Sequence, residues 1–258
     1  MTKRLATSAR DYVLNLELPD AGPMLETVRA PGTSGEVSFS GDPQAMVVGG
    51  QLAEFSKAVP ADLRSAVADG MLLAQLAANK ATAQAGDVFQ WYDKYVEVLQ
   101  NVGWQIQDFQ FQRQQLDGQD LDVHEAIIPV VAAMLGPQLA AASLVLNLLQ
   151  GLQQMDKDRP WITLFDRASQ HASGAKFQVA YVDADALGQP QIALACFGIR
   201  AERTITQVLF FKFSAQGMEV KKAEGKLGVS VERLKSAREA LAARVTPFVD
   251  DFVKSIDI

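Results

Sequence analysis

The chain contains one cysteine and two histidines, Cys196, His124 and His171, and these are the side chains best suited to nucleophilic or proton-transfer chemistry near neutral pH. Cys196 lies in QIALACFGIR. Alternation predicts Ile192, Leu194 and Cys196 on one face of a strand and Ala193, Ala195, Phe197 and Ile199 on the other, so both faces are apolar and the strand is central. The plain reading is a buried thiol packing as a small hydrophobe. A reactive thiolate needs an electropositive, partly open setting, and the segment offers no cation before Arg200. A sharper alternative is that the thiol faces an apolar cavity and carries a fatty acyl chain, held by ~0.8 kcal/mol per buried methylene. Pairing of Cys196 with His124 or His171 would instead make a cysteine-dependent acyl-transfer or thioester enzyme, which spacing alone leaves open. His124 lies in DVHE, where Asp122 and Glu125 form a capping box, so His124 and Glu125 are expected near solvent in a first helical turn. His171 is expected at a helix C-terminus, where it would offset the dipole.

Other chemistries are excluded or unsupported. A single cysteine rules out an intramolecular disulfide framework and a cysteine-based zinc cluster, and two histidines leave no metal site to predict. The chain has no G-x-S-x-G, Walker A, G-x-G-x-x-G or H-E-x-x-H signature. A net charge of −6 argues against a nucleic-acid partner, because phosphate binding needs a concentrated basic face. The main basic cluster, Lys221, Lys222 and Lys226, is broken by Glu219 and Glu224 and reads as a solvated strand face. The N-terminus has no apolar h-region, so the default location is cytoplasmic, with export that uses no cleaved signal left open.

The elements that must position these residues are organised around Ala126 to Met155, a tract with no charged side chain in a chain where 21% of residues are charged. Its possible destinations are a protein core, a bilayer or an apolar ligand. Pro129 kinks it, and Gly136 with Pro137 breaks it into one helix from about 122 and a second from Pro137 to Met155. The halves would measure ~22 Å and ~28 Å against a hydrocarbon core of ~30 Å. A buried apolar helical hairpin is therefore predicted, with bilayer insertion conditional on a conformational change.

Around it, 1–60 reads as an irregular arm with short strands at Tyr12 to Leu16 and Glu36 to Ser40. Residues 61–172 are mainly helical. One amphipathic helix spans about 61–80, and a second is opened by Asp87 with Gln90 and stopped by Gly103. Trp91, Tyr92 and Tyr95 fall at helical spacing and read as core. Trp104 onward reads as an edge strand with a bulge near Asp108, and Pro160 starts a short helix. Residues 173–258 read as an antiparallel meander of four strands, Lys176 to Asp183, Gln191 to Ile199, Thr204 to Ser214 and Met218 to Gly225, followed by a long helix from Ser230 to Phe252. The expected whole is a single compact α+β domain of helices packed on a C-terminal antiparallel sheet.

A helical first half, a C-terminal sheet and one cysteine in ALACFGIR resemble the Erwinia virulence factor family over most of the chain. That resemblance implies a fatty acyl group such as palmitate, thioester-linked to a core cysteine, and carries over only to Cys196. The leading functional expectation is a lipid- or membrane-associated, non-enzymatic interaction factor of virulence or toxin type, with no cofactor beyond that acyl group. The cysteine-dependent enzyme and a structural or partner-binding protein are the alternatives.

Overall fold

The computed structural model describes residues 8–20, 38–83, 88–107, 109–113, 122–171, 174–201, 205–212 and 218–256. In chain order these form α1 (Ala9–Asn15), β1 (Gln44–Val48), β2 (Gln51–Phe55), α2 (Ala61–Thr82), α3 (Val88–Val102), β3 (Gln105–Gln107), β4 (Gln112–Arg113), α4 (Val123–Ala140) and α5 (Leu144–Gly151). Then follow α6 (Pro160–Ser169), β5 (Gln170–His171), β6 (Gly174–Ala184), β7 (Pro190–Ala201), β8 (Met218–Gly228), α7 (Val231–Val245), α8 (Val249–Phe252) and β9 (Val253–Ser255). The strands make one sheet in the order β3-β8-β7-β6-β2-β1-β9, with β4 also on β8 and β5 on β6.

The α+β class holds, and the sheet is covered on both faces. Along β6 and β7, Ala180, Val182, Ile192, Leu194 and Cys196 enter one core with α1, α2, α3 and α7. Phe177, Val179, Ala195, Phe197 and Ile199 enter the other, with α4, α5 and α6. A period of two puts consecutive residues on opposite faces, so apolar residues at both parities demand two helical layers. The β7 segment has the parity and the central position that its sequence predicts.

The sheet also reaches well beyond the C-terminal third. The VVGG segment, read as part of an irregular arm, is the turn of a hairpin: Val48 pairs with Gln51, and Gly49 takes φ +59°. A two-residue turn of this kind needs positive φ, which glycine supplies without strain. Every residue of β2 is buried, and it runs parallel to β6, so the sheet is mixed. Short length and apolar character at both parities hid these two strands from a period-two reading.

Four other expected elements differ. Tyr12 to Asn15 is not a strand but the end of α1, with Leu16 extended just after it, because Ser8 caps the helix by accepting from the Asp11 amide at 3.1 Å. Ser38 to Ser40 is irregular, while Glu36 lies outside the described residues. Within the third expected strand, Ile205–Lys212 forms turns, with Ile205, Val208, Leu209 and Phe210 buried beneath α4. The expected long last helix ends at Val245; Pro247 starts a tight turn, and the chain continues through α8 to β9, which pairs with β1.

The helices expected near the middle are present. α2 and α3 match their predicted stripes, and Gly103 stops α3 at φ +116°; Asp87 lies outside the described residues. The β3 edge is likewise as read: Gln107 pairs with Lys226 and Gln112 with Lys222, a step of five residues against four, so the register shifts by one between the two pairings. Asp108, where the bulge was expected, lies outside the described residues.

Candidate functional site: the neutral helical layer and the buried Cys196

The neutral tract forms α4 and α5 laid across one face of the sheet. Gly136 breaks the helix at φ +75°, ψ 165°, with open space where a Cβ would be, so its glycine serves conformation rather than packing. The second half is not one helix. A further break at Ala141 and Ala142 lets Ser143 cap α5 through the Leu146 amide at 3.1 Å. Serine before an apolar run was the available signal.

Burial of the layer is one-sided, which corrects the expected buried hairpin. Ile127, Val130, Val131, Leu135, Val145 and Leu149 face the sheet. Pro129, Ala133, Pro137, Leu139, Ala141 and Ala142 are exposed, Leu139 to 39%. Among the described residues α4 alone is long and apolar enough to cross a membrane by length and composition, and 33% of it is buried. A helix that is apolar all round fits a core or a bilayer better than a water-facing surface.

A few polar ties hold this layer down. The Val123 and His124 amides donate to the carbonyls of Phe211 and Leu209, each at 3.0 Å. His124 is 1% exposed, not near solvent as its cap position suggested, and its Nδ1 is 2.9 Å from the Leu209 carbonyl. A carbonyl only accepts, so Nδ1 carries the proton. The capping box is formed: the Asp122 amide donates to Glu125 Oε2 at 3.0 Å. At the other end, Glu54 of β2, itself 4% exposed, accepts from Ser143 Oγ at 2.6 Å and from the Val145 amide at 3.1 Å. Replacing Glu54 with Ala strands both donors in the interior, and each stranded donor costs about 1–3 kcal/mol. The expected loss in chemical denaturation is about 3 kcal/mol, with much of it recovered in Glu54→Gln, whose amide oxygen still accepts.

Beneath the Ile205–Lys212 turns lies Asp166, which accepts from the Val208 amide at 2.7 Å. Burial pushes its carboxyl up to about 6, opposed by the Val208 and Leu209 amides. Asp69 on α2 is likewise pushed up to about 6 by burial, against Ser65 and Arg238. The folded state therefore binds these protons more tightly than the unfolded chain. By linkage, their contribution is most favourable below the ordinary carboxylate range and is lost as pH rises through about 6. Thermal unfolding is expected to show a higher Tm at pH 5 than at pH 7.5, and Asp166→Asn should shrink that difference.

Cys196 is wholly buried, and burial pushes its thiol well above the usual range. Directly across β6 is Gln178, and across β8 is Ala223. Gln178 Nε2 donates to the Tyr92 hydroxyl at 3.2 Å, which lies 2.9 Å from the carbonyls of both Phe177 and Phe197. Trp91 stacks on Tyr95 with centroids 5.2 Å apart, so the aromatic trio is core, as its spacing predicts. Lys176, 3% exposed, lies 4.8 Å from the Trp91 ring centroid, and burial lowers its ammonium to about 8.

The structure does not assemble a cysteine–histidine pair. His124 belongs to the helical layer on the opposite face of the sheet from Cys196. His171 pairs with Gly174, four residues along β6 from Gln178, or ~13 Å of strand. Among the described residues no group of three or more His, Cys, Asp or Glu side chains could hold a metal.

No family model and no curated relative matches the chain. Among solved structures it is similar to a delta-endotoxin, at 16% identity and a TM-score of 0.39 over 71% of this chain and 84% of that one. It is similar to the activated Cyt2Ba monomer from Bacillus thuringiensis subsp. israelensis, at 14% identity and a TM-score of 0.34 over 69% and 97%. It also resembles the Evf virulence factor, at 15% identity and a TM-score of 0.31 over 84% and 86%. The weak resemblance in layout expected from the sequence is thus present in the structure.

Proposed function

We propose that this protein is a lipid- or membrane-associated interaction factor whose α4–α5 layer is the membrane-engaging element. The observation that carries this reading is the layer itself: no charge from Ala126 to Met155, a largely apolar exposed face on α4 with uncharged Asn147 and Gln150 exposed on α5, and a glycine hinge at Gly136. Burying apolar area against lipid is favourable at about 25 cal/mol per Å², whereas leaving it in water forgoes that gain. The polar ties to Leu209, Phe211 and Glu54 are few, and α4 and α5 take no part in the opposite core, so releasing them opens the core on their own face and leaves the other in place. Vesicle flotation and dye release test the proposal. Association with vesicles and release of dye are expected; absence of both across lipid compositions and pH would refute it.

The fatty acyl group at Cys196 is a finer part of the same proposal. Its support is the apolar setting beside Ile192 and Leu194. The buried, protonated thiol favours a static attachment over turnover as a cysteine enzyme. Intact mass is expected to exceed the sequence mass by one acyl group, removable by hydroxylamine; an unmodified mass in protein from its native source overturns this part alone.

A further inference from the structure

On the face of the sheet opposite α4 and α5, a cleft of about 620 Å³ opens between α3 and the ends of β7 and β8. This volume is within the range of small-molecule sites. Phe89 lies at its wall, with Arg200 Cζ 4.7 Å and Lys221 Nζ 4.2 Å from the ring centroid. Both cations also pair with Glu219, at 3.4 Å each. Gly198 makes the arrangement possible, because a Cβ there would come within 3.0 Å of Val88 Cγ1 and 3.1 Å of Phe89 Cε1.

The remaining walls are aromatic, in planes that differ. Phe111 meets Phe89 at 69°, Tyr92 at 45° and Phe109 at 84°. Asp93, exposed on α3 next to Tyr92, adds a carboxylate. The lining thus has two cations on one wall, Arg200 and Lys221, which share Glu219 and keep a net positive charge between them, and one carboxylate, Asp93, on α3. An anion alone would leave Asp93 uncompensated, and a cation alone would meet Arg200 and Lys221. Rings in several planes are the usual receptor for a quaternary ammonium group, and guanidinium with ammonium is the usual receptor for phosphate.

We infer that this cleft binds a zwitterionic phosphocholine headgroup, its phosphate on Arg200 and Lys221 and its trimethylammonium against the accessible sides of Phe109 and Phe111, beside Asp93. The inference deepens the membrane reading and rests on it for its biological setting. Position agrees: β7 ends one residue after Arg200, and the turns at Ile205–Lys212 that follow are those holding the start of α4. The start of α4, tied to those turns, therefore lies near the same end of the sheet as the cleft, on the other face, while the start of α5 is held at the far end by Glu54.

Soluble phosphocholine, inorganic phosphate and choline are titrated separately while the amide resonances of Gly198 and Arg200 are followed by NMR. Saturable shifts are expected with phosphocholine in the millimolar range, and binding at least about tenfold weaker with either fragment, a difference of about 1.4 kcal/mol. Arg200→Gln and Asp93→Asn, both at exposed positions, should each weaken phosphocholine several-fold. Equal binding of phosphate and phosphocholine, or no saturation, overturns the inference. Phosphocholine binding without vesicle association would leave this site standing and sink the α4–α5 reading; vesicle association without phosphocholine binding does the reverse.

Discussion

Ala133→Glu combined with Leu139→Glu is expected to leave the fold intact while lowering vesicle partitioning by at least about a hundredfold. Both positions are on the outer face of α4, Ala133 exposed and Leu139 39% exposed, so neither side chain enters the core under the sheet. Surface changes of this kind usually alter stability by no more than about 0.5 kcal/mol. In a bilayer the same two carboxylates fall in a tract that otherwise has no charge. A charged residue at the centre of an inserted helix costs about 2.5–3.5 kcal/mol, and less near its end, so two of them exceed the ~2.7 kcal/mol that a hundredfold change requires. Flotation at several lipid concentrations, with circular dichroism and thermal melts as controls on folding, measures both halves of this expectation. Unchanged flotation with unchanged melts would remove the outer face from the account.

How much of this was legible in the sequence depended on whether a pattern was local. The stripes of α2 and α3, the capping box at Asp122 and the break at Gly136 are set by neighbours within a turn or two, and all are present where their spacing put them. The two apolar faces of QIALACFGIR were equally readable, because strand alternation needs only the segment itself. What failed was anything decided across the chain. The Thr204 to Ser214 run has the apolar content of a strand, yet Asp166 and His124 bond the backbone at Val208 and Leu209 that a neighbouring strand would otherwise pair. The hairpin at Val48 to Gln51 looked like a loop because its strands are short and buried on both faces.

The site divides in the same way. Cys196 was visible as the sole cysteine, and its burial followed from its strand. Glu54 was not visible: a lone acidic residue in QLAEF gives no hint that it is the acceptor for the start of α5, 89 residues away at Ser143. The cleft under Phe89 was also hidden, since Asp93, Arg200 and Lys221 are brought together only by the register of β7 with β8 and the packing of α3 on them. Lys221 was read as one member of a solvated basic cluster, and its contact with an aromatic face appears only once α3 is in place.

Action on a membrane through α4 requires it to leave the Leu209–Lys212 turn, and a reversible staple across that contact prevents the departure. Asp122 and Lys212 form an isolated antiparallel bridge, and the Val123 amide donating to the Phe211 carbonyl at 3.0 Å places them at the ladder position whose two residues do not exchange backbone hydrogen bonds with each other. Such pairs have Cα atoms about 4.5 Å apart, within the span a disulfide can close. Cys196 is wholly buried and does not compete for the bond. In Asp122→Cys with Lys212→Cys, the measurement is dye release from phosphatidylcholine vesicles before and after reduction. The oxidised protein is expected to release dye at no more than about a tenth of the reduced rate, corresponding to at least ~1.4 kcal/mol, with full recovery on reduction. Equal release by the oxidised and reduced forms would contradict it.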